Sequence, residues 1–514
     1  MSELRPRPVE LPHSFRSMTM ASGVRAACAR NPDKIALIHG EQRRTYRELV
    51  ERIDCVTHAT IADLKLEPGV NAAIIARNGM EYIELVCGLP EAGVAVATIS
   101  ARYTCAEIEA VCADADARVI FTDAATVDLV RAAKVPSARR VIVIGPEYER
   151  WLQRGVQPVE RPYVDEWHTW CIPYTSGTTG KPKGVMLSHR SRSLVAFGAA
   201  VEFGCFSPDD RFLAMTPMNH GGGLGFPMAA LLTGGSIDIM EKFDAAAVLH
   251  KFKHGGITGV FMVPTHFHQI FALDARLLEP YRRPPLKTII SNAAPLPQAM
   301  KEKIVPYFGD DVLFEIYSST EAGLVCSLRP SDQLRKFSCA GVPHAFTQVK
   351  ILDDVGAECA SEQVGELFSR SPYLFNGYWN RPQETQDAFR EGWLSVGDLA
   401  KRDADGYIYI VDRKKDMVIC GGVNIYPREI EEVLLTHPAL ADVAVIGVPD
   451  EKWGERLRTF AVLKPGKTFS AEDMVKCCTE KLSAYKIPRE LRYIDALPRN
   501  TNGKVLKAEL RQLS

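Results

Sequence analysis

Short apolar runs alternate with helix-length amphipathic stretches through the first four hundred or so residues of the chain. Ala72–Ile75 precedes Glu81–Leu89, and Val119–Phe121 precedes Val127–Ala133. This strand-then-helix rhythm predicts parallel α/β layers. Tyr46, Leu49, Val50 and Ile53 fall at the i, i+3, i+4, i+7 spacing that lines one helical face. Later, Tyr407-Ile-Tyr-Ile-Val411 reads as a strand that the five charged residues Asp412–Asp416 interrupt. A charge run alone is usually a solvated turn. This one lies between two self-sufficient patterned blocks, which favours an interdomain hinge. Beyond it the pattern predicts helix Pro427–His437, strands Val443–Val448 and Thr459–Leu463, and helix Ala471–Leu482. Pro427 suits a first helical turn, and Pro438 cannot continue one.

Length and charge narrow the class. At roughly 150 residues per domain, 514 residues imply two to four domains. Lys and Arg total 62 against 63 Asp and Glu, a net charge of −1 that argues against nucleic acid or an anionic membrane as partner. No uninterrupted apolar stretch is long enough to span a bilayer, and residues 1–16 lack the pattern of a secretory signal. The 13 cysteines are odd in number and form no zinc spacing, which reads as reduced thiols in a cytoplasmic enzyme.

The densest chemistry lies in Tyr174-Thr-Ser-Gly-Thr-Thr-Gly-Lys-Pro-Lys-Gly184. Glycines Gly177 and Gly180 let backbone N–H groups turn toward an anion. Thr175, Ser176, Thr178 and Thr179 add hydroxyl donors, and Lys181 and Lys183 add charge. That combination suits a polyphosphate, although Pro182 after Lys181 breaks the Walker A pattern. Further motifs follow in order: Thr216-Pro-Met-Asn-His220, Ser291-Asn-Ala-Ala-Pro295, Tyr317-Ser-Ser-Thr-Glu321, Gly377-Tyr-Trp-Asn380, Trp393-Leu-Ser-Val-Gly-Asp398, Asp412-Arg413, Gly421-Gly-Val-Asn-Ile-Tyr-Pro427 and Pro498-Arg-Asn-Thr-Asn-Gly-Lys504.

This ordered set, from about Pro32 to Lys507, resembles the adenylate-forming enzymes: acyl- and aryl-CoA synthetases, peptide-synthetase adenylation domains and firefly luciferase. The resemblance implies a large N-terminal multi-layer α/β domain, residues 1–411, and a small mobile C-terminal α+β domain, residues 412–514. It implies an ATP-dependent carboxylic acid–CoA ligase that works through an acyl-adenylate. ATP, Mg²⁺ and coenzyme A would be its cofactors, and the acid would be a medium- to long-chain fatty acid or an aromatic or alicyclic one. A homodimer fits such ligases.

Residue by residue, the resemblance gives Glu321 to magnesium and stacks Tyr317 on adenine. Asn292, Ala293 and Ala294 take the adenine loop, and Glu315, Ile316, Ser318, Ser319 and Thr320 take the nucleotide wall. Asp398 takes the ribose hydroxyls, with Arg413 beside it. Lys504 becomes the cation between the substrate carboxylate and the α-phosphate, whose mutual repulsion it offsets. His220 borders the acyl site, where Gly221 to Gly223 are expected to leave room for a ligand. A hinge maps to Lys415. Its rotation would withdraw Lys504 and bring in Gly421 and Gly422 for the pantetheine arm, with Trp453 and Tyr485 near the CoA nucleotide. Ser318 stands where the motif usually has glycine, which would narrow the acyl pocket toward medium-length or ring-containing acids. His266 and His268 lack a third ligand at metal spacing and read as structural.

Two alternatives remain open from sequence. One is an adenylation enzyme loading an acyl or amino acid onto a carrier protein, although Asn219-His220 offers no carboxylate for a substrate ammonium. The other is a non-catalytic nucleotide-binding relative, although the phosphate loop, Glu321 and Lys504 are all present.

Overall fold

The computed structural model describes residues 17–176, 182–499 and 504–513. Among these residues the chain forms four sheets. The first large sheet has seven strands, with Thr169–Ser176, Ala95–Thr98, Asn71–Ile75 and Ala117–Thr122 as parallel neighbours. The second has nine strands. Its parallel centre runs Ser236–Ile239, Arg211–Ala214, Gly259–Met262, Thr288–Ser291 and Leu313–Ser319. Parallel strands need crossovers, and the sequence supplies helices between them.

One hydrophobic cluster joins helices Met20–Arg30, Tyr46–Ala62, Met80–Glu91 and Gly221–Thr233 to strands of both sheets. Helix Tyr46–Ala62 starts where Thr45 and Glu48 cap each other, and it buries Tyr46, Leu49 and Ile53 fully and Val50 partly. Helix Gly221–Thr233 carries almost no polar side chains and is buried from Leu224 to Leu232 apart from Gly225. A helix of that composition belongs in an interior.

The strand ending the third sheet runs Ile408–Arg413, so Asp412 and Arg413 stay in register with Leu399 and Asp398. The charged run therefore does not interrupt the strand, and only Lys414–Asp416 leaves it, as one 3₁₀ turn. Nor is the run solvated throughout. Asp412 and Asp416 are buried because Asp412 accepts the N–H groups of Arg413 and Arg428, and Asp416 accepts from Arg511 at 3.2 Å.

The fourth sheet is built on the long antiparallel pair Leu440–Asp450 and Gly454–Leu463. Its alternation works on two faces. Val443 and Val445 pack under helices Pro427–Leu434 and Ala471–Thr479, while Ala444 and Ile446 meet Leu510 of helix Lys507–Gln512. Both covering helices end three residues earlier than the apolar pattern suggests, and both strands run longer. All 13 cysteines are free. Among the described residues, no helix is long and apolar enough to cross a membrane.

One buried ion pair sets the strand that carries Tyr317 and Ser318. Lys301, fully buried in helix Gln298–Phe308, reaches Glu315 Oε2 at 2.7 Å. Breaking a buried pair from one side leaves the other charge uncompensated, at a cost of about 3 kcal/mol. Lys301→Met should lower the thermal midpoint by several degrees, and Lys301→Met/Glu315→Leu should recover more than half of that loss. A single variant as stable as the parent in differential scanning calorimetry would show that the pair does not hold this strand.

Candidate active site

The parallel strands of the nine-stranded sheet end on one side of a cleft of about 1300 Å³. Ligands in α/β folds sit beyond the carboxyl ends of strands, and this cleft obeys the rule. Thr216–His220 follows strand Arg211–Ala214, Phe243 follows Ser236–Ile239, and His266 follows Gly259–Met262. Asn292–Ala294 follows Thr288–Ser291, and Leu313–Ser319 runs into Thr320-Glu321. The seven-stranded sheet contributes Thr98 and Thr175 from the opposite side. The C-terminal segment closes the cleft with Lys504 and Lys507.

The centre of the cleft is a carboxylate with two partners. Tyr317 donates its hydroxyl to Asp398 Oδ2 at 2.6 Å, and Arg413 Nε lies 3.1 Å from Asp398 Oδ1. Asp398 and Arg413 face each other across two antiparallel strands, so their pairing follows from register. The hydroxyl of Tyr317 is thereby committed, while its ring still lines the cleft. Lys504 lies within the field of this group. Burial pushes its amine down to about 8, Arg413 adds to the shift, and Asp398 opposes it. The Lys504 segment is fastened on both sides: Leu506 N–H donates to Pro498 O at 2.8 Å, and Lys507 pairs with Glu431 at 2.8 Å.

Glu321 follows the Thr320 turn of a β-hairpin and is not a helix cap. One carboxylate oxygen accepts from the Tyr378 hydroxyl at 3.0 Å. A carboxylate held from one side and lining the cleft fits one of the few carboxylate oxygens that magnesium takes from protein, with phosphates and water supplying the rest. Among the described residues no cluster of three metal-ligating side chains exists. Lys183 pairs with Glu384 at 2.5 Å and lies 5.1 Å from the centre of the Tyr378 ring. Asn292 donates to Ser318 Oγ at 2.6 Å, and Ala293 holds a positive φ of 75°. Glu315, Ile316, Ser319 and Thr320 also line the cleft. Gly177, Thr178, Thr179, Gly180 and Lys181 lie outside the described residues, as do Asn502 and Gly503.

His220 sits at the start of helix Gly221–Thr233, and burial, reinforced by the charge of Arg102, pushes its imidazole down to about 4. At neutral pH it is an uncharged hydrogen-bonding group. The glycines after it do not all make room for a ligand. A Cβ on Gly222 would meet the Phe261 ring at 2.6 Å, and one on Gly223 would meet Pro217 O at 2.1 Å. Protein occupies both spaces, and only Gly221 faces open space. The wall beyond is aromatic: Phe226 lies 5.4 Å from Phe261, and Phe243 stacks on His266 at 4.3 Å. His266 also accepts the Val263 N–H, a structural role.

Gly421, Gly422, Trp453 and Tyr485 do not line the cleft. The two glycines form the turn between strands Val418–Cys420 and Val423–Ile425, with φ of 60° and 80°. A two-residue hairpin of this hand needs positive φ at both positions, which explains the glycines locally. Gly421 N–H donates to Trp453 O at 2.8 Å, and a Cβ there would strike the indole at 2.8 Å. Lys415 is likewise absent from the cleft wall, although its neighbour Asp416 is part of it. Sequence reasoning missed Tyr378 and Arg192 as cleft residues. Tyr378 was visible inside a matching motif, and Arg192 was visible as a cation in helical phase with Ala196 and Ala199.

The AMP-binding enzyme family matches residues 24–379, and the AMP-binding enzyme C-terminal domain matches residues 429–504. The chain is 33% identical over 489 residues to a 2-succinylbenzoate–CoA ligase of Bacillus cereus, covering 94% of this chain and 96% of that one. Its fold is similar to ATP-bound MatB from Rhodopseudomonas palustris, with a TM-score of 0.88, 27% identity and coverage of 97% and 99%. It is also similar to o-succinylbenzoate CoA synthetase from Bacillus subtilis in complex with an acyl-adenylate, with a TM-score of 0.85, 28% identity and coverage of 95% and 97%. With its cleft, its ordered motifs and these relatives, the chain belongs to the AMP-binding enzyme family, as an adenylate-forming acid–thiol ligase that uses ATP, Mg²⁺ and coenzyme A.

Proposed function

We propose that the acid is aromatic or alicyclic and that the protein joins it to coenzyme A through an acyl-adenylate. The observation that carries this reading is the aromatic wall of Phe226, Phe261, Phe243 and His266 beyond His220. Flat rings bury well against such a wall, edge-on or stacked. The 2-succinylbenzoate named in the curated relatives is an acid of the same kind.

In this reading Lys504 stands between the two anions of the first step, and Asp398, Tyr317 and Arg413 hold the nucleotide sugar. Magnesium, when bound, would neutralise phosphate charge, with Glu321 as its protein ligand. His220, neutral at working pH, borders the carboxylate without adding a charge that would compete with Lys504. The chain divides at the turn Lys414–Asp416, beyond the strand that carries Asp412 and Arg413. A rotation about Lys415 then carries Lys504 away and turns the Gly421–Gly422 hairpin toward the path of the thiol. Pyrophosphate release with ring-containing and straight-chain acids, with and without coenzyme A, tests the substrate class. A higher kcat/KM for every straight-chain acid than for any ring-containing one would contradict it.

Lys504→Ala should lower adenylate formation by about a thousandfold while leaving thioester formation from supplied acyl-adenylate within a few-fold of wild type. Because the amine is held down to about 8, the free enzyme loses its cation as pH rises through that value. Adenylation kcat/KM should therefore fall above about pH 8. Equal losses in both half-reactions, measured by rapid quench, would make Lys504 structural.

Ser318→Trp should restrict the enzyme to the smallest acids. Each methylene excluded from an apolar pocket removes about 0.8 kcal/mol, so two or three lost positions shift selectivity by roughly tenfold or more. An unchanged kcat/KM profile across a series of acids would place Ser318 off the acyl wall.

A further inference from the structure

Within the motif Gly377-Tyr-Trp-Asn380, Tyr378 lines the cleft and its hydroxyl holds Glu321. The strand that carries it, Gly377–Tyr378, is two residues long and lies at the edge of the seven-stranded sheet, against strand Pro182–Ser188. That middle strand pairs in turn with Thr169–Ser176. Lys183 on the middle strand pairs with Glu384 and faces the Tyr378 ring, so two cleft residues depend on this narrow ladder. A strand of two residues is shorter than sheets normally keep, and its few ladder bonds do not by themselves fix a side chain. Something else must set Tyr378.

Asp114 does so from outside the cleft wall. It is the last residue of helix Cys105–Asp114, where a negative charge opposes the helix dipole. Three groups converge on it. Its Oδ2 accepts the Tyr174 hydroxyl at 2.9 Å, its Oδ1 accepts from Arg381 at 2.5 Å, and its main-chain carbonyl accepts Trp379 Nε1 at 3.0 Å. Tyr174 belongs to the first strand of the ladder, and Trp379 and Arg381 follow the third. One residue therefore clamps the two outer strands to each other across the middle one. Close packing leaves the middle strand no slack. Gly184 is the register partner of Tyr174, and a Cβ there would lie 3.1 Å from the tyrosine hydroxyl oxygen and 2.8 Å from Ile172. Gly184 O also accepts the Trp379 N–H at 2.8 Å. Thr385 completes the link, because its hydroxyl accepts the Tyr378 N–H at 2.9 Å and donates to Arg381 O at 2.8 Å. The contacts form one chain, from Asp114 through Arg381, Thr385 and Tyr378 to Glu321.

From this geometry we infer that Asp114 is a positioning residue for magnesium–ATP, holding Tyr378, and through it Glu321, where the phosphates are received. The inference rests on the reading of Glu321 as the magnesium carboxylate and adds to it a residue that touches neither nucleotide nor acid. No bond forms or breaks at Asp114. Removing a group that orients a metal-linked carboxylate typically costs about tenfold to a hundredfold in metal affinity or activity.

The test is calorimetric titration of the full-length protein with ATP plus Mg²⁺ and, separately, with AMP, which carries the adenosine but no β- or γ-phosphate. Asp114→Ala should weaken magnesium–ATP binding by about tenfold and leave AMP binding within about twofold of wild type. In steady-state pyrophosphate release the KM for ATP should rise likewise, and the KM for the acid should not. Arg381→Met breaks the same clamp without touching the helix, so it decides the matter if Asp114→Ala fails to fold. Where both fold, the double variant should bind magnesium–ATP no more weakly than the weaker single one, because the two side chains act as one unit. Glu321→Gln checks the reading underneath. Unchanged magnesium–ATP affinity in Glu321→Gln would overturn that reading and the inference with it. A loss in Glu321→Gln with none in the clamp variants, or a clamp-variant loss shared equally by AMP, would overturn the inference alone.

Discussion

The carboxylate of Asp398 ties together the parts of this enzyme that must act at once. It accepts the Tyr317 hydroxyl from the nine-stranded sheet, pairs with Arg413 on the last strand before the turn at Lys414–Asp416, and draws on the charge of Lys504. Each partner comes from a different stretch of the chain, and each depends on a different structural cause. Tyr317 is placed by the strand that Lys301 and Glu315 fasten, Arg413 by antiparallel register, and Lys504 by the Lys507–Glu431 pair behind it. The result is a cleft whose charges are arranged before any substrate enters. Such preorganisation is the largest source of rate enhancement in reactions that bring anions together.

Much of this was legible in the sequence, because the chemistry resides in short ordered motifs. Asp398, Arg413, Tyr317, Glu321 and Lys504 were each singled out from their motifs, and the structure brings all five to one cleft. The strands and helices of the large α/β part were legible for a simpler reason. Their apolar positions keep a period of 2 or 3.6 over several turns, as in Tyr46, Leu49 and Ile53.

What escaped was whatever depends on long-range packing. The run Asp412–Asp416 looks solvated by composition, yet Asp412 is buried and accepts a backbone N–H from sixteen residues away at Arg428. The glycines after His220 suggest open space, yet a phenylalanine from another strand fills it at Gly222. Gly421 and Gly422 suggest a ligand path, and locally they are what a tight hairpin requires.

The central claim is that one small C-terminal unit serves two half-reactions by turning about Lys415. In the conformation described, Lys415 lies in a 3₁₀ turn, a backbone that proline can adopt, so Lys415→Pro should hold the enzyme where Lys504 faces the cleft. The decisive measurement is a single-turnover quench that follows acyl-adenylate and acyl-CoA separately in this variant. The account predicts a near-stoichiometric burst of adenylate that persists after coenzyme A is added, with thioester formation slowed by orders of magnitude. Adenylate and thioester forming at wild-type rates would contradict it.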